Sequence, residues 1–223
     1  MKVDQSGAQA SPRAAAMRKP KAPEANRARI IQAAIDEFAS RGFKGASMDA
    51  IAARTHTTRA MINYYFGSKE KVYQAVLEHC YSEIRHAESF LDLEDLAPVE
   101  AMRRFVEFTF DYYLSHQYFV RIVIAENQAK GRHLKKLKTM GILNRPILDL
   151  LSRVIARGQA GGMFRKGLDP LDVHMAIAAL GNFNVSHQHT FSAIFGRDMG
   201  AKGDVGGRCA VVTEMILSYL RKP

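Results

Sequence analysis

The chain has 223 residues, which is enough for one large or two small domains with a sizeable core. Lys and Arg outnumber Asp and Glu by 32 to 22, and this balance favours an anionic partner such as nucleic acid or a membrane surface. Cys80 and Cys209 form neither a disulfide framework nor a metal motif, and no apolar run approaches the ~20 residues that a membrane span needs. We therefore expect a cytoplasmic protein without a membrane-spanning segment or a signal peptide.

Residues 1–25 are basic and rich in Ala and Pro, and we expect a disordered arm because such a segment buries too little surface to offset its ordering entropy. The arm could lie along DNA phosphates or in a minor groove, or it could be a solvated tail without a role. A first helix is predicted from about residue 26 to residue 40, and Gly42 is expected to end it.

The stretch from Met48 to Glu70 is predicted to be two short helices joined by a tight turn, with a third helix beginning just beyond. Ser47 and Thr58 stand where N-caps are expected, and residues 54–58 interrupt the helical spacing of apolar side chains. The second helix has a polar and aromatic outer face. This is the plan of a helix-turn-helix DNA reader, which we assign to residues 26–72.

Residues 27–77 resemble the DNA-binding domain of the TetR family of bacterial transcriptional regulators. The matching segments, in chain order, are Ala33-Ala34, Phe38, Gly42-Phe43, Ser47-Met48, Ile51-Ala52-Ala53-Arg54, Tyr64-Tyr65-Phe66 and Ser68-Lys69-Glu70. The resemblance implies an all-α fold, with the helix-turn-helix domain followed over residues 73–223 by a helical domain for effector binding and dimerisation.

Two residues of the reading unit depart from the family's pattern. His56 stands in the turn where the family usually has Gly, and Gly adopts positive φ more freely than His. Asn63 stands where Tyr is common, and its amide could read adenine or could be a plain exposed residue. We predict DNA contacts from residues whose side chains suit phosphates or base edges. These residues are Ser47, Thr57, Thr58, Arg59, Asn63, Tyr64, Tyr65 and Lys69.

A long helix from residue 68 to about residue 90 is expected to connect the reader to the second domain. The next two helices are dense in aromatic residues and Met, which is typical either of an ordinary core or of helices around a ligand cavity. The predicted effector-binding residues are Met102, Phe105, Phe108, Tyr112, Phe119, Ile122, Asn127, Met175 and Phe183. A further helix is predicted over residues 131–157, kinked or restarted at Pro146.

Helices over residues 170–189 and 205–220 are predicted to pair with their copies in a homodimer, although they could instead pack only on their own core. His187 and His189 have poor helical spacing for a metal, and we expect no metal or other cofactor. Residues 157–165 and 182–198 resemble a TetR subgroup that includes regulators of nicotinate and aromatic-compound catabolism. That resemblance favours an aromatic or heterocyclic acid as effector.

Together these observations predict a dimeric, ligand-responsive repressor that binds a palindromic operator in double-stranded DNA. The half-sites are expected roughly 34–36 Å apart or a multiple of that. A small-molecule effector is expected to release the repressor from the operator. The alternative is a constitutive DNA-binding regulator or an activator without an effector. An enzyme is disfavoured because the sequence has no paired nucleophile and base, no Gly-rich phosphate loop and no metal signature.

Overall fold

The computed structural model describes residues 22–222. Within that range it contains the helices α1 (Ala22–Gly45), α2 (Met48–Arg54), α3 (Arg59–Phe66), α4 (Lys69–Glu88), α5 (Pro98–Ser115), α6 (Gln117–Gln128), α7 (Met140–Ala160), α8 (Pro170–Ser186), α9 (Gln188–Phe195) and α10 (Lys202–Leu220). A 3₁₀ turn, Leu134–Lys136, precedes α7, and an isolated antiparallel bridge joins Phe164 to Arg221. The predicted all-α fold class is confirmed.

A first apolar core holds α1–α4 together and continues into α6. Ile35, Ile51 and Ile62 are completely buried in it, one each from α1, α2 and α3. Phe119 and Ile122 of α6 belong to the same cluster, and α1 packs more extensively on α6 than on α2. The predicted domain boundary at residue 72 falls inside α4. Residues of this core come both before and after that position in the chain, and the boundary stays a prediction.

A second apolar core joins α5, α7, α8 and α10. Met102, Val154, Ile177 and Ile216 are buried in it, one from each helix. Phe108 of α5 contacts both cores. The two apolar cores therefore meet along α5.

Several helix ends differ from those predicted. α1 begins at Ala22, so residues 22–25 are helical, whereas residues 1–21 of the predicted arm lie outside the described residues. Gly42 has a φ of 62°, as expected for a helix-ending glycine, but one further turn follows it to Gly45. The helix predicted from residue 131 begins only at Met140, and it runs through Pro146. Before α7, the Glu126 carboxylate accepts the backbone N–H groups of His133 and Leu134, at the start of the 3₁₀ turn.

In the part of the chain that the structure describes, no helix is long and apolar enough to cross a bilayer. The same residues contain no group of three or more His, Cys, Asp or Glu side chains that could hold a metal ion.

Candidate functional site

Local capping fixes the start of each helix of the reading unit. Ser47 Oγ accepts the Ala50 N–H at 3.4 Å, and Thr58 Oγ1 accepts the Met61 N–H at 3.1 Å. Ser68 Oγ accepts the Lys71 N–H at 3.3 Å and so caps the start of α4. Because free N–H groups and the helix dipole make helix N-termini positive, the starts of α3 and α4 favour a nearby anion.

The turn between α2 and α3 is held by backbone hydrogen bonds. The Thr57 N–H donates to the Ala52 carbonyl at 3.0 Å, and the buried Thr55 hydroxyl donates to the Ile51 carbonyl at 2.9 Å. His56 has a φ of 49°, which confirms that this position requires the left-handed region. His is less suited to that region than Gly, so the turn carries a modest strain in this chain.

α3 presents a polar face to solvent. Ile62 anchors the helix in the first core with no exposed surface, whereas Arg59 and Asn63 are exposed and Tyr64 is 82% exposed. A short helix with one buried anchor and an outer face of hydrogen-bonding side chains has the form of a recognition helix that enters the major groove.

A groove of about 450 Å³ lies between the starts of α2, α3 and α4, and it brings together Ser47, Arg59, Asn63 and Lys69. Arg59 Nη1 lies 3.5 Å from Asp49 Oδ2, and both side chains are exposed. An exposed ion pair of this kind contributes little, so Arg59 can exchange it for a base or a phosphate.

Lys69 is held against the protein surface. Its Nζ donates to the Lys44 carbonyl at 3.2 Å and lies 5.1 Å from the centre of the Phe43 ring. Burial lowers the pKa of Lys69, and the negative charge of Glu37 opposes that shift. The ammonium group is thereby kept at the start of α4, where a DNA phosphate would meet it.

The remaining predicted DNA-binding residues lie around the recognition helix. Thr57 and Tyr65 line a smaller groove of about 160 Å³ together with His56. Thr58 and Tyr64 are exposed, and the Tyr64 ring packs edge-on against Tyr65 at 5.6 Å. The structure therefore places the predicted set on one part of the surface, in two grooves and on the helix between them. DNA contact by each residue stays a prediction.

Comparison with known proteins identifies the family. The family model of bacterial regulatory proteins, tetR family, matches residues 30–76, and the model of the tetracyclin repressor-like C-terminal domain matches residues 98–216. The chain belongs to the TetR family. It is therefore a member of a family of DNA-binding transcriptional regulators.

Sequence similarity to two curated transcriptional repressors is consistent with the TetR assignment. The chain is 34% identical to the HTH-type transcriptional repressor NicS of Pseudomonas putida over 204 residues, which cover 91% of this chain and 96% of NicS. It is 32% identical to the HTH-type transcriptional repressor SCO4008 of Streptomyces coelicolor over 111 residues, covering 49% of this chain and 53% of the relative.

Solved structures show the same fold. A tetR family regulatory protein from Rhodococcus RHA1 superposes with a TM-score of 0.70 at 20% identity, covering 89% of this chain and 98% of the other. FadR of Bacillus subtilis, in complex with stearoyl-CoA, superposes with a TM-score of 0.66 at 16% identity, covering 87% of this chain and 99% of FadR.

Glu37 supports the reading unit of this TetR regulator from beneath. Its carboxylate is completely buried, accepts the Ser47 N–H at 3.0 Å, and lies 3.5 Å from both Arg41 and Arg54. It therefore ties α1 to the start and the end of α2. The sequence analysis missed Glu37, although a carboxylate beside the apolar stripe of α1, with Arg41 one turn later, is a detectable signal.

A second buried carboxylate joins the reader to the rest of the TetR fold. Glu126 Oε1 accepts the N–H groups of His133 and Leu134 at 2.7 and 3.0 Å, and Oε2 lies 2.8 Å from His133 Nδ1. The His133 ring lies 4.4 Å from the ring of Phe43 and 4.9 Å from that of Tyr73. No sequence signal predicted this contact between α6, α1 and α4.

The predicted effector-binding residues are divided between the two apolar cores and the protein surface. Tyr112, Phe119 and Ile122 are buried in the first core, Met102 and Phe105 are buried in the second, and Phe108 contacts both. Asn127 is exposed, and its amide donates to the Val123 carbonyl at 3.0 Å. Met175 and Phe183 are 60% and 42% exposed on α8. Effector contact by these residues stays a prediction.

Proposed function

We propose that this TetR regulator is a homodimeric repressor that binds a two-fold symmetric operator and is released by a small-molecule effector. The observation that carries the proposal is the exposed polar face of α3 beside the capped start of α4. The names of NicS and SCO4008 as repressors support the sign of regulation. The stearoyl-CoA in the FadR structure supports effector binding in this fold.

Groove chemistry assigns roles to the reading unit. Arg59 and Asn63 would contact base edges, because guanidinium pairs with guanine and amide with adenine in the major groove. Ser47 and Lys69 would contact phosphates, since they lie at helix starts on the rim of the same groove. Sequence preference is thus expected from α3, and general DNA affinity from its surroundings.

Apolar side chains left exposed near the C-terminus support dimerisation. On α10, Val211, Met215 and Tyr219 recur every four residues and are 49%, 53% and 47% exposed. On α8, Leu171 and Met175 are 49% and 60% exposed. Covering both faces with a second copy would place the two readers around a two-fold axis, as a palindromic operator requires.

α4 provides the connection between effector and reader. It has 20 residues, about 30 Å of helix, and carries Lys69 at its start and Glu88 at its end. An effector that favours one position of α4 in each protomer would change the separation of the two readers. The effector must bind the two states with different affinity, because otherwise it shifts no equilibrium.

The proposal is tested by footprinting the DNA that flanks the gene, first with protein alone and then with aromatic and heterocyclic acids. A two-fold symmetric footprint that one compound removes is the expected result. A symmetric footprint that no compound changes would favour the constitutive regulator. Absence of any footprint at low salt would contradict the operator-binding proposal.

A further inference from the structure

A cleft of about 500 Å³ lies between the reader and α6, and we call it the junction cleft. One side is formed by residues 41–44, in the last turns of α1, and the other by residues 125–133, at the end of α6 and just beyond it. Its lining residues differ from those of the groove at the starts of α2, α3 and α4. Small-molecule sites have volumes of roughly 300–1,000 Å³, so the junction cleft is large enough for a ligand.

The junction cleft is strongly basic. Its described lining contains no carboxylate and four exposed basic side chains, those of Arg41, Lys44, Lys130 and Arg132. Arg41 Nε lies 3.5 Å from the buried Glu37 carboxylate, whereas Lys44, Lys130 and Arg132 form no ion pair with any described residue. A concave surface that is lined by one sign of charge focuses its field, so the cleft attracts anions with several charges.

The turn that brings two of these basic residues beside α1 has a fixed backbone. Lys130 and Gly131 both have left-handed backbones, with φ of 57° and 67°. Their N–H groups donate to the Asn127 and Glu126 carbonyls, each at 2.9 Å. Lysine rarely adopts positive φ, and residues held in such conformations concentrate at functional sites. The position of Lys130 is therefore set by the backbone on both sides of it.

The lining groups match a phosphate that is attached to a larger body. A guanidinium such as that of Arg132 can bond two phosphate oxygens at once, and the ammonium groups of Lys44 and Lys130 act as point charges. Apolar surface comes from the Phe43 ring and from Ala125 and Ala129. Because inorganic phosphate is much smaller than the cleft, these apolar groups would contact the rest of the ligand.

We propose that the junction cleft binds a phosphorylated small molecule with at least two negative charges, such as a nucleoside diphosphate. Lys44 binds its phosphate groups from the side of α1, and Lys130 and Arg132 bind them from the side of α6. The ligand thus joins the reader to the C-terminal helices. This binding does not depend on the proposed function, because no DNA is involved in it.

The junction cleft adjoins the residue that we assign to a DNA phosphate. Lys69 Nζ donates to the Lys44 carbonyl at 3.2 Å and lies 5.1 Å from the centre of the Phe43 ring, and both of these residues line the cleft. A bound anion therefore adds negative charge close to Lys69. We expect it to lower operator affinity, most strongly at low salt, and this consequence rests on the proposed function.

Titration calorimetry on the full chain at low salt tests the site with ADP, pyrophosphate and adenosine. ADP and pyrophosphate are expected to bind, and adenosine, which has no phosphate, is expected not to bind. Lys130→Asn and Arg132→Gln should each weaken ADP binding about tenfold or more, the usual effect of losing a charge-assisted hydrogen bond. Both side chains are exposed and Asn tolerates positive φ, so both variants are expected to fold.

Two control variants separate the junction cleft from other basic surfaces. Lys166→Asn removes an exposed lysine between α7 and α8, and Arg59→Ala removes a cation of the groove assigned to DNA. Both should leave ADP binding unchanged. Equal weakening by Lys130→Asn and Lys166→Asn would show an effect of net charge alone and would overturn the proposal. Loss of ADP binding in Arg59→Ala but not in Lys130→Asn would place the anion in the other groove, with the same consequence.

Operator binding is measured in parallel, with and without ADP, so that the two proposals can fail separately. If ADP does not bind the unmodified protein, the proposed site is wrong whatever the DNA result. If Lys130→Asn then weakens operator binding, the cleft contacts DNA phosphates instead. ADP binding by a protein that binds no operator would contradict the proposed function alone.

Discussion

Truncating Glu126 to alanine should destabilise the whole protein, although the residue is not part of the recognition helix. The carboxylate is 1% exposed and accepts from three groups, the His133 N–H, the Leu134 N–H and His133 Nδ1. Alanine leaves all three without an acceptor in a region that water barely reaches. It also frees the His133 ring that packs on Phe43 and Tyr73.

The expected loss of stability follows from the number of hydrogen-bond donors that lose their acceptor. A buried donor left unpaired costs about 1–3 kcal/mol, and three donors lose their acceptor, so we expect a loss of roughly 3–5 kcal/mol, in the lower half of the summed range. At roughly 2–4 °C per kcal/mol for a chain of this size, the melting temperature should fall by about 6–20 °C. Glu126→Gln should lose about half as much, because one oxygen still accepts both backbone N–H groups.

Urea unfolding followed by circular dichroism measures the change directly. Glu94→Ala is the matched control, because Glu94 also pairs with a basic side chain, that of Arg153, but both side chains are more than half exposed. That substitution should cost less than about 1 kcal/mol. If Glu126→Ala cost no more than Glu94→Ala, the reasoning that the buried carboxylate holds the reader to α6 would be refuted.

Three further predictions concern DNA, assembly and pH. Arg59→Ala should cost about 1–3 kcal/mol of binding free energy on the operator and relax the preference at one base pair. Lys69→Ala should weaken binding to all DNA sequences alike and flatten the salt dependence of binding. Fluorescence anisotropy measures both. Met215→Lys should convert the proposed dimer to monomer in light scattering, because it buries a charge in the proposed interface. Burial raises the folded pKa of Glu88 to about 7 against an ordinary 4.5, so its stabilising contribution is complete below pH 4.5 and is lost as the pH rises through 7. His174, with its pKa lowered by burial to about 4, has the opposite pH dependence, so wild type is compared with Glu88→Gln, which keeps His174. The free energy of unfolding of wild type, relative to that of Glu88→Gln, should fall by up to about 3 kcal/mol between about pH 5 and about pH 8.

Each of these predictions has an internal check. Equal losses on operator and random DNA would remove Arg59 from the base-reading residues. Ile142 is 78% exposed on α7, outside the proposed interface, so Ile142→Lys should leave the oligomeric state unchanged. A pH-independent difference between wild type and Glu88→Gln would contradict the raised pKa of the glutamate.

The reading unit could be predicted because its signals are local. Ser47 and Thr58 cap the helices that follow them within three residues, and the requirement for positive φ at His56 could be inferred from the turn alone. These features depend on neighbours in the chain, which the sequence displays directly.

The buried polar contacts and the junction cleft could not be predicted, because they depend on distant parts of the chain. Lys44 and Lys130 line one cleft, and nothing in their local patterns brings the two together. Glu126 resembles an ordinary exposed helix residue until α6 is packed on α1. Met175 of the predicted effector-binding set is 60% exposed, a property that its local sequence does not show, and effector contact by it stays a prediction.

The apolar core that α1–α4 share with α6 limits how this protein can be cut to build hybrid regulators. A junction at residue 72 would separate Ile35 and Phe38 from Phe119 and Ile122, which pack in one cluster. A foreign reader would then have to match the surface of α6 as well as join the chain. Operator preference is therefore better redirected by substituting exposed residues of α3 in place than by exchanging the whole reader.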